Sequence, residues 1–418
     1  MQAMISPMWR AVPLVLFWFI YMGASGIFFP YYSLYLRENA ELTGTQVGLV
    51  LSMLPFVGII AEPFWGQVAD RTGARSRVLA FLSLGGSLGY LALGAARGFS
   101  AILLATVVLA AFTTAILSVT VSVTLAFLRG VGPYGFGLVR VWGTLGFLSL
   151  VMGFPWILQH FQKAHGMIRV VGGPSEPGLE VMFIVSAGLV FVAGLTALAL
   201  PREGIAALRA SRGEWRILFR NRAVVRFLLF ALLAYFLVQG PMWLFPVYVR
   251  SRGGDLDTIR RMWVLMLAVE IPLVISSGAG LNRFGARGLL TLGVLAGGLR
   301  WTLSGFVNDL YVIYLIQMLH GVMVAGLVLG APLYIDTVVP ERLRSTGQAL
   351  LSMVGVGIGG IASNAGAGWL LEHLGPDAPY IFSGIGSLIL GSLVCWILPS
   401  TEGAATNKNC RPRGRWNG

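Results

Sequence analysis

Long apolar runs with almost no charge constrain this chain more than any other feature of its sequence. Residues 14–36, 47–69, 101–128 and 227–249 each form such a run, with at most one charged residue. An α-helix needs about 20 apolar residues to cross a bilayer core about 30 Å thick. The chain is 56% hydrophobic and only 11% charged, whereas a soluble domain carries about 25% charged residues. The sequence therefore predicts an all-α membrane protein.

Twelve membrane spans can be placed along the 418 residues. We predict them at residues 11–36, 44–69, 78–96, 100–128, 137–160, 180–200, 222–249, 258–280, 288–307, 309–338, 346–372 and 376–399. With both termini in the cytoplasm, the cytoplasmic segments hold twenty of the 30 Lys and Arg residues and the opposite segments hold eight. Cytoplasmic loops are enriched in these residues. The net charge of +13 is thus an orientation signal, and we expect no nucleic-acid partner.

An internal repeat divides the chain into two similar parts. The segment 66–75, with Asp70, Arg71, Gly73 and Arg75, is matched by 278–287 at a constant offset of 212 residues. A weaker match relates Phe29-Pro30-x-Tyr32 to Phe245-Pro246-x-Tyr248. Repeats at corresponding places indicate two pseudo-symmetric six-helix bundles. We predict bundles at 1–200 and 222–400, an Arg-rich cytoplasmic linker at 201–221 and a basic cytoplasmic tail at 401–418.

The repeated segment carries a resemblance to a known superfamily. Its pattern Gly-x-x-x-Asp-Arg-x-Gly-x-Arg, at residues 66–75, resembles the signature loop of the major facilitator superfamily, and the two sets of six spans agree with that fold. The resemblance implies a secondary active transporter whose halves rock around a central site by alternating access. The implied location is the cytoplasmic (inner) membrane, and the implied partners are a small-molecule substrate and the lipid bilayer.

Two further segments are similar to a narrower group, the lactose permease-like and nucleoside or phenylpropionate proton symporters. These are the aromatic run Phe28–Leu36 and the segment Gly137–Phe147, which contains Arg140. The resemblance implies proton-coupled symport of a nucleoside, a sugar or an aromatic acid. Leu125 and Met323 stand where galactoside permeases carry acids, so a galactoside substrate is disfavoured.

The repeated loop suggests a gate. An acid at the end of a span can pair with arginines and with the positive N-terminus of a neighbouring helix. We predict gating roles for Asp70, Arg71, Gly73 and Arg75 and, in the second copy, for Asn282 and Arg283. The alternative is that these arginines only orient the chain. Asn282 replaces the acid, which predicts a weaker second half of the gate.

Ionisable residues inside predicted spans are the candidates for coupling chemistry, because each costs at least about 2.5 kcal/mol at membrane depth. We assign proton coupling to Glu270, Arg300 and His320; a static buried ion pair and an interhelical hydrogen bond are the alternatives. Arg140 is assigned to substrate binding, against snorkelling of its side chain. Glu62 either lines the cavity or only packs there.

Aromatic side chains complete the predicted substrate site, since they stack on sugar rings, nucleobases and phenyl groups. The substrate-binding set is Arg140, Trp142, Phe147, Tyr32, Tyr31, Phe28, His320 and Trp243. Trp and Tyr also concentrate at membrane interfaces, which is the competing explanation.

Motifs for enzymatic chemistry are missing from the sequence. It has no metal-ligand spacing, nucleophile motif or phosphate-binding glycine loop, so we expect neither an enzyme nor a bound metal or cofactor. An uncoupled facilitator and a transporter-like sensor remain open alternatives. Export of drugs or metabolites is less favoured, because the antiporter pattern of the fifth span is absent. We expect a monomer.

Overall fold

The computed structural model describes residues 8–127, 135–167, 175–200 and 215–399, and these are almost entirely helical. The first half contains α1 (Met8–Leu34), α2 (Gly44–Thr72), α3 (Arg75–Ala95), α4 (Phe99–Phe127), α5 (Gly135–Ala164) and α6 (Val181–Leu198). The second half contains α7 (Arg222–Ser251), α8 (Leu256–Ile275), α9 (Ser277–Phe306), α10 (Leu310–Val338), α11 (Arg344–Leu351, Ser352–Gly359 and Gly360–Leu374) and α12 (Ala378–Ile397). The predicted all-α membrane fold is confirmed.

Eleven of these helices are long and apolar enough to cross a membrane. The twelfth is α8, which the sequence also predicts as a span. It is not counted with the other eleven because it contains several charged residues, namely Asp257, Arg260, Arg261 and Glu270. Of the predicted linker, residues 201–214 lie outside the described residues, as does the tail 401–418; Trp215–Arg220 form a short helix. The predicted domain boundaries stay predictions.

Local sequence signals explain where several helices begin and end. Thr43 and Gln46 form a capping box at the start of α2, which satisfies backbone N–H groups that have no partner inside the helix. Asp255 accepts from the Thr258 N–H at the start of α8. The α2 helix ends at Gly73, whose φ of 62° is left-handed, a conformation that glycine adopts without steric cost. Gly285, its partner in the repeat, has a φ of 65° and kinks α9.

Three pairs of helices join the two halves. The α2 helix packs against α11, α1 against α7, and α5 against α8. The Arg250 face is the end of the molecule where α1 connects to α2 and α7 connects to α8, and the Asp70 face is the opposite end. Near the Arg250 face, the Glu372 carboxylate accepts from the Thr45 N–H at 2.7 Å. The halves are thus closed against each other at this end.

Small residues allow α2 and α11 to approach closely. A Cβ placed on Gly48 would lie 2.5 Å from the Asn364 carbonyl oxygen and 2.9 Å from the Gly368 Cα. Such contacts let helix backbones pack tightly in membranes. The contacts continue to Ile59, whose side chain meets Gly357. Beyond Ile59, Trp65 bonds instead to the Ala111 carbonyl in its own half at 2.8 Å. From this change of partner we infer that the halves diverge toward the Asp70 face, with a cavity between them.

Candidate functional site

A continuous polar network lies inside the second half, centred on the fully buried Arg300 of α9. Its Nε donates to the Gln317 Oε1 at 2.8 Å, and its Nη1 donates to the His320 Nδ1 at 3.0 Å. The other ring nitrogen of His320, Nε2, lies 3.3 Å from the Glu270 carboxylate. Three of the predicted residues, Glu270, Arg300 and His320, are therefore brought together.

The chemistry of the two partners fixes the tautomer of His320. A guanidinium only donates hydrogen bonds, so the Nδ1 that receives one from Arg300 must be unprotonated. In the neutral ring the single proton then sits on Nε2 and points to Glu270. A second proton on this ring would face the Arg300 N–H and break that hydrogen bond. The Glu270 carboxylate, which is 22% exposed, therefore accepts the hydrogen bond that the ring has left to donate.

Arg300 also contacts softer groups. Its two terminal nitrogens lie 3.6 Å from the Met242 Sδ and 3.3 Å from the Met266 Sδ, and its guanidinium carbon is 4.0 Å from the Trp301 ring centroid. Thioethers are weak acceptors, and aromatic faces attract cations. These contacts hold the guanidinium in place.

An irregularity in α10 positions two members of the network. The helix is broken after Ile316, restarts at Leu319 and then continues through a π-helical segment, Val324–Leu329. Gln317 lies in this break and His320 directly follows it. Departures from regular α-helix of this kind often occur at functional sites. Next to His320, a Cβ on Gly321 would lie 2.9 Å from the Glu270 backbone nitrogen, so glycine here lets α8 and α10 approach.

One charged residue of α5 and one of α8 face the interior of the molecule. In α8, Ala268 and Pro272 lie on an exposed stripe, and Glu270 is about 160° around the helix from both, at 100° per residue. In α5, Arg140 is likewise about 160° around the helix from Leu138 and Trp142, both of which are exposed. Arg140 is itself exposed, and its exposed surface therefore faces the cavity between the halves and not lipid.

Arg140 lies beside the inner helix α1. Its guanidinium carbon is 5.9 Å from the centroid of the buried Trp18 ring, which is within range of a cation–π interaction. Two turns along α5, Phe147 lies on the same face and contacts Trp263 of the other half at 5.9 Å between ring centroids.

Aromatic rings from both halves meet between the cavity and the Arg250 face. Phe29 packs edge-on against Trp243 at 4.2 Å and against Trp263 at 5.4 Å. Phe28 stacks on Tyr32 at 4.3 Å and reaches Trp243 at 6.5 Å. The predicted residues Phe28, Phe147 and Trp243 thus belong to one aromatic cluster, which also contains Phe29 and Trp263.

Other predicted substrate residues lie elsewhere. Trp142 is 44% exposed on the outer stripe of α5, and the structure does not bring it to the cavity. The competing interface explanation fits this residue better. Tyr31 is fully buried against Phe154, and the Tyr32 hydroxyl is bonded to the Thr106 hydroxyl at 2.6 Å. Both tyrosines pack α1 against its neighbours.

The predicted gate residues lie at the Asp70 face. Arg75 donates to the Asp70 carboxylate at 2.8 Å, and Arg71 contacts Gln67 at 3.5 Å. Arg283 lies over the ring of Phe284, and the Asn282 side chain is outside the described part of the chain. In this conformation the Asp70 carboxylate pairs within its own half, so its gating role stays a prediction.

A cluster of charges at the Arg250 face was not singled out from the sequence. Arg250 of α7 donates to the Glu38 carboxylate at 2.8 Å and to the Glu176 carboxylate at 3.1 Å, and both acids belong to the first half. All three side chains are largely buried. A sequence signal exists, since Glu38 and Arg250 are 212 residues apart, the offset of the repeat.

Twelve helices in two repeat-related sets, closed at one end around an interior cavity with ionisable groups, define a secondary membrane transporter. The chain belongs to the family described as MFS_1 like family, which it matches over residues 11–407, and it is therefore a major facilitator superfamily transporter. This confirms the predicted superfamily and the expectation that the chain is not an enzyme.

Several known transporters are similar over almost the whole chain. The maltose permease of Geobacillus stearothermophilus is 31% identical over 93% of this chain and 95% of its own length. The probable 3-phenylpropionic acid transporter of Escherichia coli (strain K12) is 26% identical over 87% of this chain and 91% of its own. The crystal structure of the nucleoside transporter NupG superposes with a TM-score of 0.78 at 16% identity, covering 93% of this chain and 98% of that one.

Proposed function

We propose that this protein imports a small neutral solute by proton-coupled symport across a cytoplasmic membrane. The Arg250 face is then outside, the Asp70 face and both termini are cytoplasmic, and the conformation described is open to the cytoplasm. The positive-inside distribution of Lys and Arg supports this orientation. The 31% identity to a maltose permease favours a sugar over the other two solute classes.

The observation that carries the proposal is the contact of His320 Nε2 with Glu270. Arg300 occupies Nδ1 and Nε2 already carries the proton of the neutral ring, so a proton that enters the network binds to the Glu270 carboxylate. Rocking of the halves changes the exposure of Glu270, and with it the cost of keeping that carboxylate charged. Proton binding thereby follows access, which is what coupling requires.

Transport by purified protein in proteoliposomes tests the coupling. We expect an inward proton gradient to drive accumulation of labelled maltose and maltose addition to alkalinise the outside medium. Glu270→Gln should abolish accumulation and leave maltose exchange at equilibrium unchanged, because exchange needs no net proton movement. The matched control is Glu341→Gln. Glu341 begins a short 3-10 helix, its side chain is 77% exposed, and its ion pair with Arg344 is long, at 3.6 Å.

Two outcomes contradict the proposal. Accumulation that survives Glu270→Gln shows that Glu270 does not carry the proton. Uptake that is equal with and without the gradient in the unmodified protein identifies an uncoupled facilitator.

A further inference from the structure

A carboxylate in the first half has no assigned task. Glu62 of α2 is partly buried within a membrane span, and the structure gives it no ion pair or hydrogen bond among the described residues. Tyr21 of α1 is close enough to interact with it electrostatically. The one hydroxyl proton of Tyr21 is donated to the Thr113 carbonyl oxygen at 3.2 Å, so Tyr21 has none left for Glu62.

The position of Glu62 on its helix directs it to the cavity. Ile60 and Phe64 are 65% and 56% exposed and mark the lipid-facing stripe of α2. Glu62 is about 160° around the helix from both. It continues the face that carries Gly44 and Gly48, which pack against α11 of the other half. The contact is traced as far as Ile59 and Gly357, and we infer that the next turn of this face borders the space where the halves separate.

Side chains of neighbouring helices define the surroundings of Glu62. Its Oε1 lies 3.5 Å from the position a Cβ would take on Gly58, and the Thr114 side chain lies 3.6 Å from the same point. One turn further, Trp65 is anchored on α4 by its bond to the Ala111 carbonyl. The carboxylate therefore lies between α1, α2 and α4.

A comparison of the halves shows what Glu62 lacks. The offset of 212 residues places Glu62 and Glu270 on equivalent helices. After the offset is applied, the position of Glu62 lies about one helical turn from that of Glu270. Glu270 has a hydrogen-bonding partner in His320, whereas Glu62 has none among the described residues. An ionised carboxylate in a membrane span is costly unless a donor or a cation satisfies it. The cavity is the remaining source of such a donor.

We propose that Glu62 is a substrate-binding residue that accepts hydrogen bonds from hydroxyl groups of a neutral polyhydroxylated solute. The inference rests on the proposed function, whose substrate class it specifies. Arg140 faces the same cavity, so the wall of the first half offers an acceptor and a donor, the pair that recognises neighbouring sugar hydroxyls. Glu62 also repels an anionic solute, and this selects a glycoside over an aromatic carboxylate.

Binding to purified protein tests this inference separately from transport. Maltose and 3-phenylpropionate serve as the neutral and anionic probes, measured by calorimetry at one pH. Glu62→Gln should weaken maltose binding by about tenfold or more, because a hydrogen bond to a charged acceptor is worth about 1.5–3 kcal/mol. It should also reduce the preference for maltose over 3-phenylpropionate. Glu62→Asp keeps the charge with a shorter reach and should retain part of that preference.

Matched measurements exclude a structural cause. The thermal unfolding midpoint of the empty protein should be the same for Glu62→Gln, for Glu341→Gln and for the unmodified chain, and Glu341→Gln should bind maltose normally. Unchanged maltose affinity in Glu62→Gln overturns the inference and leaves the proposed symport intact. A change confined to the pH dependence of uptake makes Glu62 a proton site and also overturns it. If the unmodified protein binds only the anionic probe, the inference fails; if it carries no solute in response to a proton gradient, the proposed function fails as well.

Discussion

The Arg300 guanidinium makes more simultaneous contacts than an ammonium group can reproduce. It spans Gln317 and His320 with two differently directed donors, and its guanidinium carbon is 4.0 Å from the Trp301 ring centroid. Lysine offers a compact charge without this planar fork. We expect Arg300→Lys to lose about 1.5–3 kcal/mol, the value of one hydrogen bond to a charged group, and to abolish proton-driven accumulation. The thermal unfolding midpoint and uptake into proteoliposomes measure the two effects.

Arg283→Lys is the matched control, because the Arg283 guanidinium is exposed at the Asp70 face and contacts the adjacent Phe284 ring. This variant should unfold at the same temperature as the unmodified protein. If Arg300→Lys shows full accumulation, the charge of Arg300 matters for transport and its planar geometry does not.

At this scale the sequence predicted the charged members of the network and missed its neutral ones. Glu270, Arg300 and His320 stand out because ionisable groups are rare in membrane spans. Gln317, Met242 and Met266 do not, since neutral side chains are common there. Trp142 was misplaced for another reason. Both faces of α5 are apolar, so periodicity does not tell which of them meets lipid.

At the scale of helices, the contact of α2 with α11 depends on glycine. Any side chain on Gly48 meets backbone atoms of Asn364 and Gly368 at less than 3 Å, and backbone cannot move aside as a side chain can. We expect Gly48→Leu to push the helices apart at a cost of about 1–3 kcal/mol, typical of overpacking, and to open the Arg250 face. Ser52 is buried at this contact and bonds to the Ile361 carbonyl, so a cysteine placed there reports the opening.

The measurement uses Ser52→Cys in a chain whose own cysteines are replaced by serine. A membrane-impermeant maleimide applied from the Arg250 side should label the cysteine at this position faster with Gly48→Leu than without it. Gly188→Leu is the control, because a Cβ on Gly188 has no neighbour within 4 Å among the described residues. Equal labelling in all three proteins contradicts a gate between α2 and α11.

The existence of the twelve helices follows from hydropathy, but their irregularities do not. The break in α10 near Gln317 and the π-helical segment Ser352–Gly359 of α11 depend on contacts with neighbouring helices. Gly355 illustrates this, since a Cβ there would lie 2.8 Å from the Tyr235 ring. Tertiary contacts of this kind leave no period in the sequence.

At the scale of the whole molecule, the repeat offset links sequence to conformation. The offset of 212 residues predicted the two halves, and Glu38 and Arg250 occupy equivalent places at that offset. By charge counting, Arg250 is only one of the few positive charges on the predicted outer side. Charge counting orients a chain, but it does not show which charges of opposite halves meet when one side of the transporter closes.

Arg250 joins the halves through two buried acids, so its removal should change the balance between conformations. Arg250→Met keeps the length of the side chain and leaves Glu38 and Glu176 without this cation; breaking such a pair costs about 3–5 kcal/mol. Opening the Arg250 face would hydrate both acids. We therefore expect spin labels at Arg97 and Tyr311, one in each half near this face, to show an added population at longer distance. Arg261→Met, which removes an exposed arginine paired with Asp257 in its own helix, should leave the distances unchanged. An unaltered distribution in Arg250→Met would mean that the packing of α2 on α11 alone keeps this face closed.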